Sequence, residues 1–177
     1  MAKWHANKVV DLYPTIKSGK KYIEIEDVKS FEIPEVGFGD GELSGSGIMG
    51  TVNIPDPYNI EAMEASITAK NFNNGVLDAI KPTGVNLRLN WAIDSINTSA
   101  TKGYTSYTAV IKGIPKGIPS VGAEKGEEME VQLTIACNYY KLIKNGKTIY
   151  EIDQLNNKLI INGVDYMKTL NKKLGRS

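Results

Sequence analysis

His5 is the sole histidine of the chain and Cys137 its sole cysteine. A histidine can serve as a general base, but His5, beside Trp4, reads as a surface or packing side chain. Cys137 falls in phase with Val131, Leu133 and Ile135. That phase puts it on an apolar strand face, as an inert buried thiol. One histidine and one cysteine are too few to assemble a zinc site. Glu24 with Glu26, and Glu128 with Glu130, are carboxylates two residues apart. Glycosidases work with such pairs, but a solvated sheet face is the commoner source of the same spacing. "GSGIMG", Gly45 to Gly50, matches the spacing of a dinucleotide-binding turn. That turn must open a helix, and Pro55 and Pro57 follow too closely for one to form. A flexible glycine loop is the reading that remains. No nucleophile elbow or phosphate-binding loop is present. The chain is therefore expected to be no enzyme and to need no cofactor and no metal.

The bounds agree. A chain of 177 residues suits one domain, 1–177, with a real core. Its 21 basic and 20 acidic residues leave a formal charge of +1, no footprint for DNA or an anionic membrane. No stretch approaches the ~20 apolar residues of a spanning helix, so no stable membrane insertion is expected. The opening "MAKWHANKVVDLYP" holds no long apolar run, and no signal peptide is read. A single cysteine excludes an intrachain disulfide and fits synthesis in a reducing cytoplasm. Order at Met1 and Ser177 is expected only if an assembly ties the ends down.

Any site must be positioned by strands. Seventeen glycines, nine tyrosines and many Val, Ile and Thr residues favour β-structure. Tyr22 to Ile33 reads as one extended run, with Ile23 and Ile25 on one face and Glu24 and Glu26 on the other. Pro34 to Tyr58 reads as a long glycine-rich loop, with a strand near Ile48–Ile54. Ala62 to Lys70 alternates again. "NNGVLDAIKP" reads as a short helix with Val76, Leu77 and Ile80 inward, closed by Pro82. In "VNLRLNWAID", Val85, Leu87, Leu89, Trp91 and Ile93 share one face, and Asn86, Arg88, Asn90 and Asp94 the other. Tyr104 to Gly113 is a further strand. The run from Met129 to Tyr139 alternates and places Glu128 and Glu130 on its polar face. Asn145-Gly146 is a hairpin turn of positive φ. Asp165 to Leu174 reads as a C-terminal helix with Asp165 as its N-cap. The expected architecture is mainly β: an antiparallel sandwich or partly closed barrel of about seven or eight strands, with one internal short helix and a C-terminal helix.

"CNYYKLIKNGKTIYEIDQLNNKLIINGVDYM", Cys137 to Met167, resembles the C-terminal hairpin of major tail tube proteins of contractile-tailed phages. The shared pattern is Cys137, Tyr139, Tyr140, Lys141 and Leu142, then Gly146-Lys147, then Glu151-Ile152-Asp153, then Asn162-Gly163-Val164-Asp165. Upstream, "FEIP", "GSGIMGTVNI" and "EASITAKNFNNGVLDAI" follow in the family's order. The resemblance runs from about Lys8 to Leu174, and residues 1–16 match only loosely.

The resemblance implies a tail-tube fold and a structural role. Six copies form a ring, and rings stack helically into a hollow tube. A contractile sheath surrounds the tube and drives it through a bacterial envelope. The implied partners are further copies of the chain, the sheath protein outside, tape-measure protein and DNA in the lumen, and baseplate and tail-terminator proteins at the ends. The assembled tube would stand in a virion tail or a released R-type bacteriocin particle; distantly similar tubes serve type VI secretion. The segment 34–58 is expected to make the contact between rings through Phe38, Leu43, Ile48 and Met49. Glu24, Glu26, Glu128 and Glu130 are expected to line the lumen. The other reading is a small monomeric sugar- or ligand-binding β-module.

Overall fold

The computed structural model describes residues 3–176, so Met1 and Ser177, and the order expected of them, lie outside the described residues. In chain order come β1 (Trp4–Ser18), β2 (Lys21–Glu24), β3 (Val28–Glu32), β4 (Phe38–Leu43), β5 (Val52–Ile60) and β6 (Met63–Ala69). Helix α1 (Asn74–Ala79) follows, then β7 (Val85–Asn97), β8 (Lys102–Pro115), β9 (Val131–Lys144) and β10 (Lys147–Asp153). β11 (Lys158–Ile161), β12 (Val164–Asp165) and α2 (Lys168–Lys173) complete the chain. The molecule is mainly β, antiparallel throughout, with two small helices.

Among the described residues ten strands form one sheet: eight run in the order β12-β11-β10-β9-β8-β7-β1-β2, and β6 and β3 lie off that path. β9 branches it. Its C-terminal half pairs with β10, while Val131 to Cys137 pair with β6, which in turn carries β3. The sheet curls, because Phe31 on β3 meets Trp91 on β7 edge-on with ring centroids 5.6 Å apart. The barrel stays open, since β2 and β3 do not pair.

The core fills the curl. Leu87 and Leu89 of β7, Ala109 and Ile111 of β8, and Leu133 and Ile135 of β9 are buried in it. Strict alternation along β7 explains why: with a side-chain period of two, one face can be wholly apolar. α1 plugs one end. Asn73 caps it by accepting the Val76 N–H at 3.0 Å, and Val76 and Ala79 point inward. Gly75 lets it approach closely: a Cβ there would lie 2.8 Å from the Ile25 Cα.

Several expectations are corrected. The run from Tyr22 to Ile33 breaks at a turn, with Asp27 at φ 54°, because β2 pairs with β1 whereas β3 crosses to β6. Leu77 faces solvent rather than the core, since the six-residue α1 has room for only one inward stripe. The segment 34–58 is a hairpin rather than one long loop: its strands are 38–43 and 52–60, the second beginning near the end of the expected strand at Ile48–Ile54, with a loop at 44–51. β4 and β5 pair from Leu43↔Val52 to Phe38↔Ile60 and form a separate two-stranded sheet. Prolines are tolerated in β5 because its far edge pairs with nothing, and an edge strand needs no donor there. The C-terminal helix starts at Lys168, with Met167 in the N-cap position, rather than at Asp165. Asp165 ends β12, and its carboxylate accepts the Met167 N–H at 3.0 Å to turn the chain into the helix. Twelve strands form where about seven or eight were expected, largely because the N-terminal segment and the 34–58 arm are also extended.

Candidate assembly surfaces

The side chains first weighed for chemistry stay apart. His5 lies exposed on β1, opposite Ile96 of β7. Cys137 points into the core, where burial pushes its thiol up to about 11 despite a nearby backbone donor at Ala65. Among the described residues, no group of three or more His, Cys, Asp or Glu side chains could hold a metal. No helix among them is long and apolar enough to cross a membrane. The hollows are open surface features. What the molecule offers is surface.

The four glutamates divide. Glu24 is exposed on β2 and Glu26 in the turn before β3, so the two share no strand face. Glu128 and Glu130 precede β9 instead of lying on it, because the ladder to β6 begins at Val131. Glu130 pairs with Lys29, and Glu128 with Lys70 at 2.8 Å. The Lys70 hydrogen bond and charge hold the Glu128 carboxyl below the usual range. These pairs sit where β3 begins and β6 ends, and the turn at Glu26 and Asp27 lies at that same end. Asp27 accepts the Lys70 N–H at 2.9 Å and the Asn71 side-chain amide at 2.6 Å.

Asn145 and Gly146 connect β9 to β10 with φ of 47° and 77°, and Lys144 faces Lys147 across them. Downstream, on the outer face of the same sheet, Glu151 bridges Lys158 at 2.8 Å and Lys141 at 3.4 Å. Tyr139 donates its hydroxyl to Glu151 at 3.2 Å. Burial, then the adjacent Glu151 charge, push that phenol up to about 12. Lys112 caps the Tyr139 ring at 4.4 Å, and Arg88 the Tyr22 ring at 4.9 Å. The outer face is thus a lattice of lysines, tyrosines and one half-buried acid.

The β4–β5 arm stands apart from the core. Residues opposite each other in an antiparallel pair share a face, so Leu43, Val52 and Ile54 line one side, with Gly41 between them. Their exposure is 47%, 45% and 47%, and Met49 at the tip is fully exposed. Phe38 is exposed at the arm's base, and Ile48 is half-buried near the tip. On the other side Asn53 donates to Asp40 at 3.1 Å. The exposed apolar side needs a partner from outside the subunit to be buried.

The chain matches the family model for phage tail tube protein FII over residues 18–175. The chain belongs to the phage tail tube protein FII family. It is also 24% identical over 148 residues to the tail tube protein of Escherichia phage P2, covering 83% of this chain and 86% of that protein. The tail tube family is structural.

One surface of this tail tube protein escaped the sequence. β1 pairs with β7 from Ile16↔Leu87 to Trp4↔Asn97, and β8 follows β7 to Ile96↔Lys102. Their far ends form a three-stranded blade that runs beyond the core, with Trp4, Val9, Val10, Ile96 and Tyr104 all exposed. The signal was weak because β1 shifts register twice between Ala6 and Asp11. Each shift breaks the alternation a strand is recognised by.

Proposed function

We propose that this tail tube protein builds the inner tube of a contractile tail or tail-like bacteriocin. Six copies close into a ring, and rings stack helically into a hollow tube. Sheath protein covers the outside, tape-measure protein and, in a phage, DNA occupy the lumen, and baseplate and tail-terminator proteins meet the two ends. The chain is made in the bacterial cytoplasm and ends in the particle.

The observation that carries this reading is the arm: a hairpin with one apolar side, paired only to itself. Phe38, Leu43, Ile48 and Met49 bury themselves against the next ring. Long strands with free edges at the blade supply the lateral contacts, since open edges pair with other chains. The balanced charge removes long-range repulsion between many identical copies.

Glu24, Glu26, Glu128 and Glu130 line or border the lumen in this reading. A wall that holds its lysines in ion pairs does not trap phosphate, and Lys29 and Lys70 are so held. Tube coordinates with all four glutamates on the outer wall would remove this assignment.

Shortening Gly39–Gly47 to a two-residue link tests the stacking role. The subunit should lose only the β4–β5 contribution to its circular dichroism, still unfold cooperatively, and fail to make long tubes in the electron microscope. Full-length tubes from that deletion would refute it.

A further inference from the structure

We infer that the arm of one copy docks its apolar side into the hollow of the β1–β7–β8 blade of another copy; this rests on the tube reading above. The hollow measures about 420 Å³. Its floor is made of small residues, Ala6, Ser95, Gly103 and Thr105, and its walls of Trp4 and Tyr107. Ala6, Ser95 and Gly103 are cross-strand neighbours and so share one face. Gly103 keeps the floor low: a Cβ there would lie 2.8 Å from the Trp4 ring. This face continues the core-facing side of β7, and among the described residues the Trp4 ring lies over part of it, at Gly103 and the buried Ser95.

The arm is the complementary shape. Leu43, Val52 and Ile54 are bulky where the blade floor is small. Charge agrees. Residues 34–60 contain Glu35, Asp40, Glu42 and Asp56 and no basic side chain. Asp56 lies opposite Gly39 on the apolar side of the arm. The blade and its flank expose Lys3, Lys8, Lys102 and Lys144. Asp94 pairs with Tyr104 and so lies on the face away from the floor, where it accepts the Lys8 N–H at 3.0 Å and the Asn7 amide at 3.2 Å. Asp40 and Glu42, on the arm's other side, still act across a strand's thickness, which is within the ~8 Å over which salt screens charge.

The rival seat is a groove of about 290 Å³ between Val36, Phe38, Tyr150, Ile152, Leu159 and Ile161. Its rim carries Glu35, which repels an acidic arm. The blade also has a feature the family match does not reach. The matched span begins at residue 18, so nearly all of β1, with Trp4 and Ala6, lies outside it.

Cysteine pairs in the full chain test this. Ile54→Cys with Thr105→Cys should give a ladder of disulfide-linked chains in assembled tubes, and Ile54→Cys with Ile161→Cys should give none. A second variant needs no cross-link. Lys102→Glu with Lys144→Glu should abolish long tubes, and adding Asp40→Lys with Glu42→Lys should restore them. Normal tubes with the ladder at Ile161→Cys, or with no ladder at all, would overturn the contact and leave the tube reading standing. A product linked only within one chain would overturn it equally. If the parent chain makes no rings or tubes, the reading beneath the contact falls and the contact with it.

Discussion

Asn145 and Ser106 hold each other by three hydrogen bonds, the longest from the Ser106 hydroxyl to the Asn145 side-chain oxygen at 3.4 Å. The Asn145 N–H donates to the Ser106 carbonyl at 2.9 Å, and the Asn145 side-chain oxygen accepts the Ser106 N–H at 2.9 Å. The turn between β9 and β10 is thereby fastened to β8, and three consecutive strands share one anchor.

Gly146→Val forces a β-branched side chain to φ 77°, which costs about 1–3 kcal/mol. Asn145→Gly keeps the turn and the backbone bond to Ser106 but loses the side-chain bonds, about 0.5–1.5 kcal/mol. Denaturant unfolding of the soluble subunit should rank parent, then Asn145→Gly, then Gly146→Val. A Gly146→Val chain as stable as the parent would contradict the turn's role.

Gly75→Ala should destabilise although alanine is the better helix former by about 1 kcal/mol. The added methyl meets backbone, the Glu24 carbonyl and the Ile25 Cα, both at 2.8 Å. Overpacking against backbone costs about 1–3 kcal/mol. Thermal unfolding measures it, and a raised midpoint would show that α1 can shift away from β2.

These local features were legible to different degrees. β7 was plain because both the pattern and the burial have a period of two from Val85 to Leu89. Cys137 was placed by the same logic on β9. β1 was not legible: bulges interrupt its alternation, and its first eight residues touch no core that would demand apolar side chains. The arm was misread as a loop because its strands carry glycines and prolines, which an isolated edge tolerates. Of the four apolar residues singled out there, Phe38, Leu43 and Met49 are exposed in the single chain and Ile48 is half-buried. The blade hollow was not legible, because its floor is built from residues nearly a hundred positions apart.

Cys137 should resist a small alkylating reagent at neutral pH in the folded chain and react fully in denaturant. Its thiol is buried and its pKa stands at about 11, so almost none is thiolate. Mass spectrometry before and after unfolding reads the difference. Rapid labelling of the native chain would place Cys137 outside the core.

Glu151 links stability to pH. Burial works to raise its carboxyl, but the Lys158 hydrogen bond and the charges of Lys141 and Lys158 outweigh it and leave the pKa lowered from 4.5. The contribution is therefore full above the ordinary carboxylate value and is lost as pH falls through the depressed one. Glu151→Gln should cost about 1–2 kcal/mol at neutral pH, the pair being partly exposed. The gap to the parent should close in acid below pH 4.5. A gap unchanged down that range would mean the two lysines do not depend on the charge.

Electron microscopy of the purified chain and of its native particle addresses self-assembly into a hollow tube most directly. The account predicts rods of constant width with an axial channel, built from stacked six-membered rings in which the β4–β5 arm reaches a copy in the neighbouring ring. Monodisperse monomers, in the purified chain and with no such rod in the particle, would contradict it.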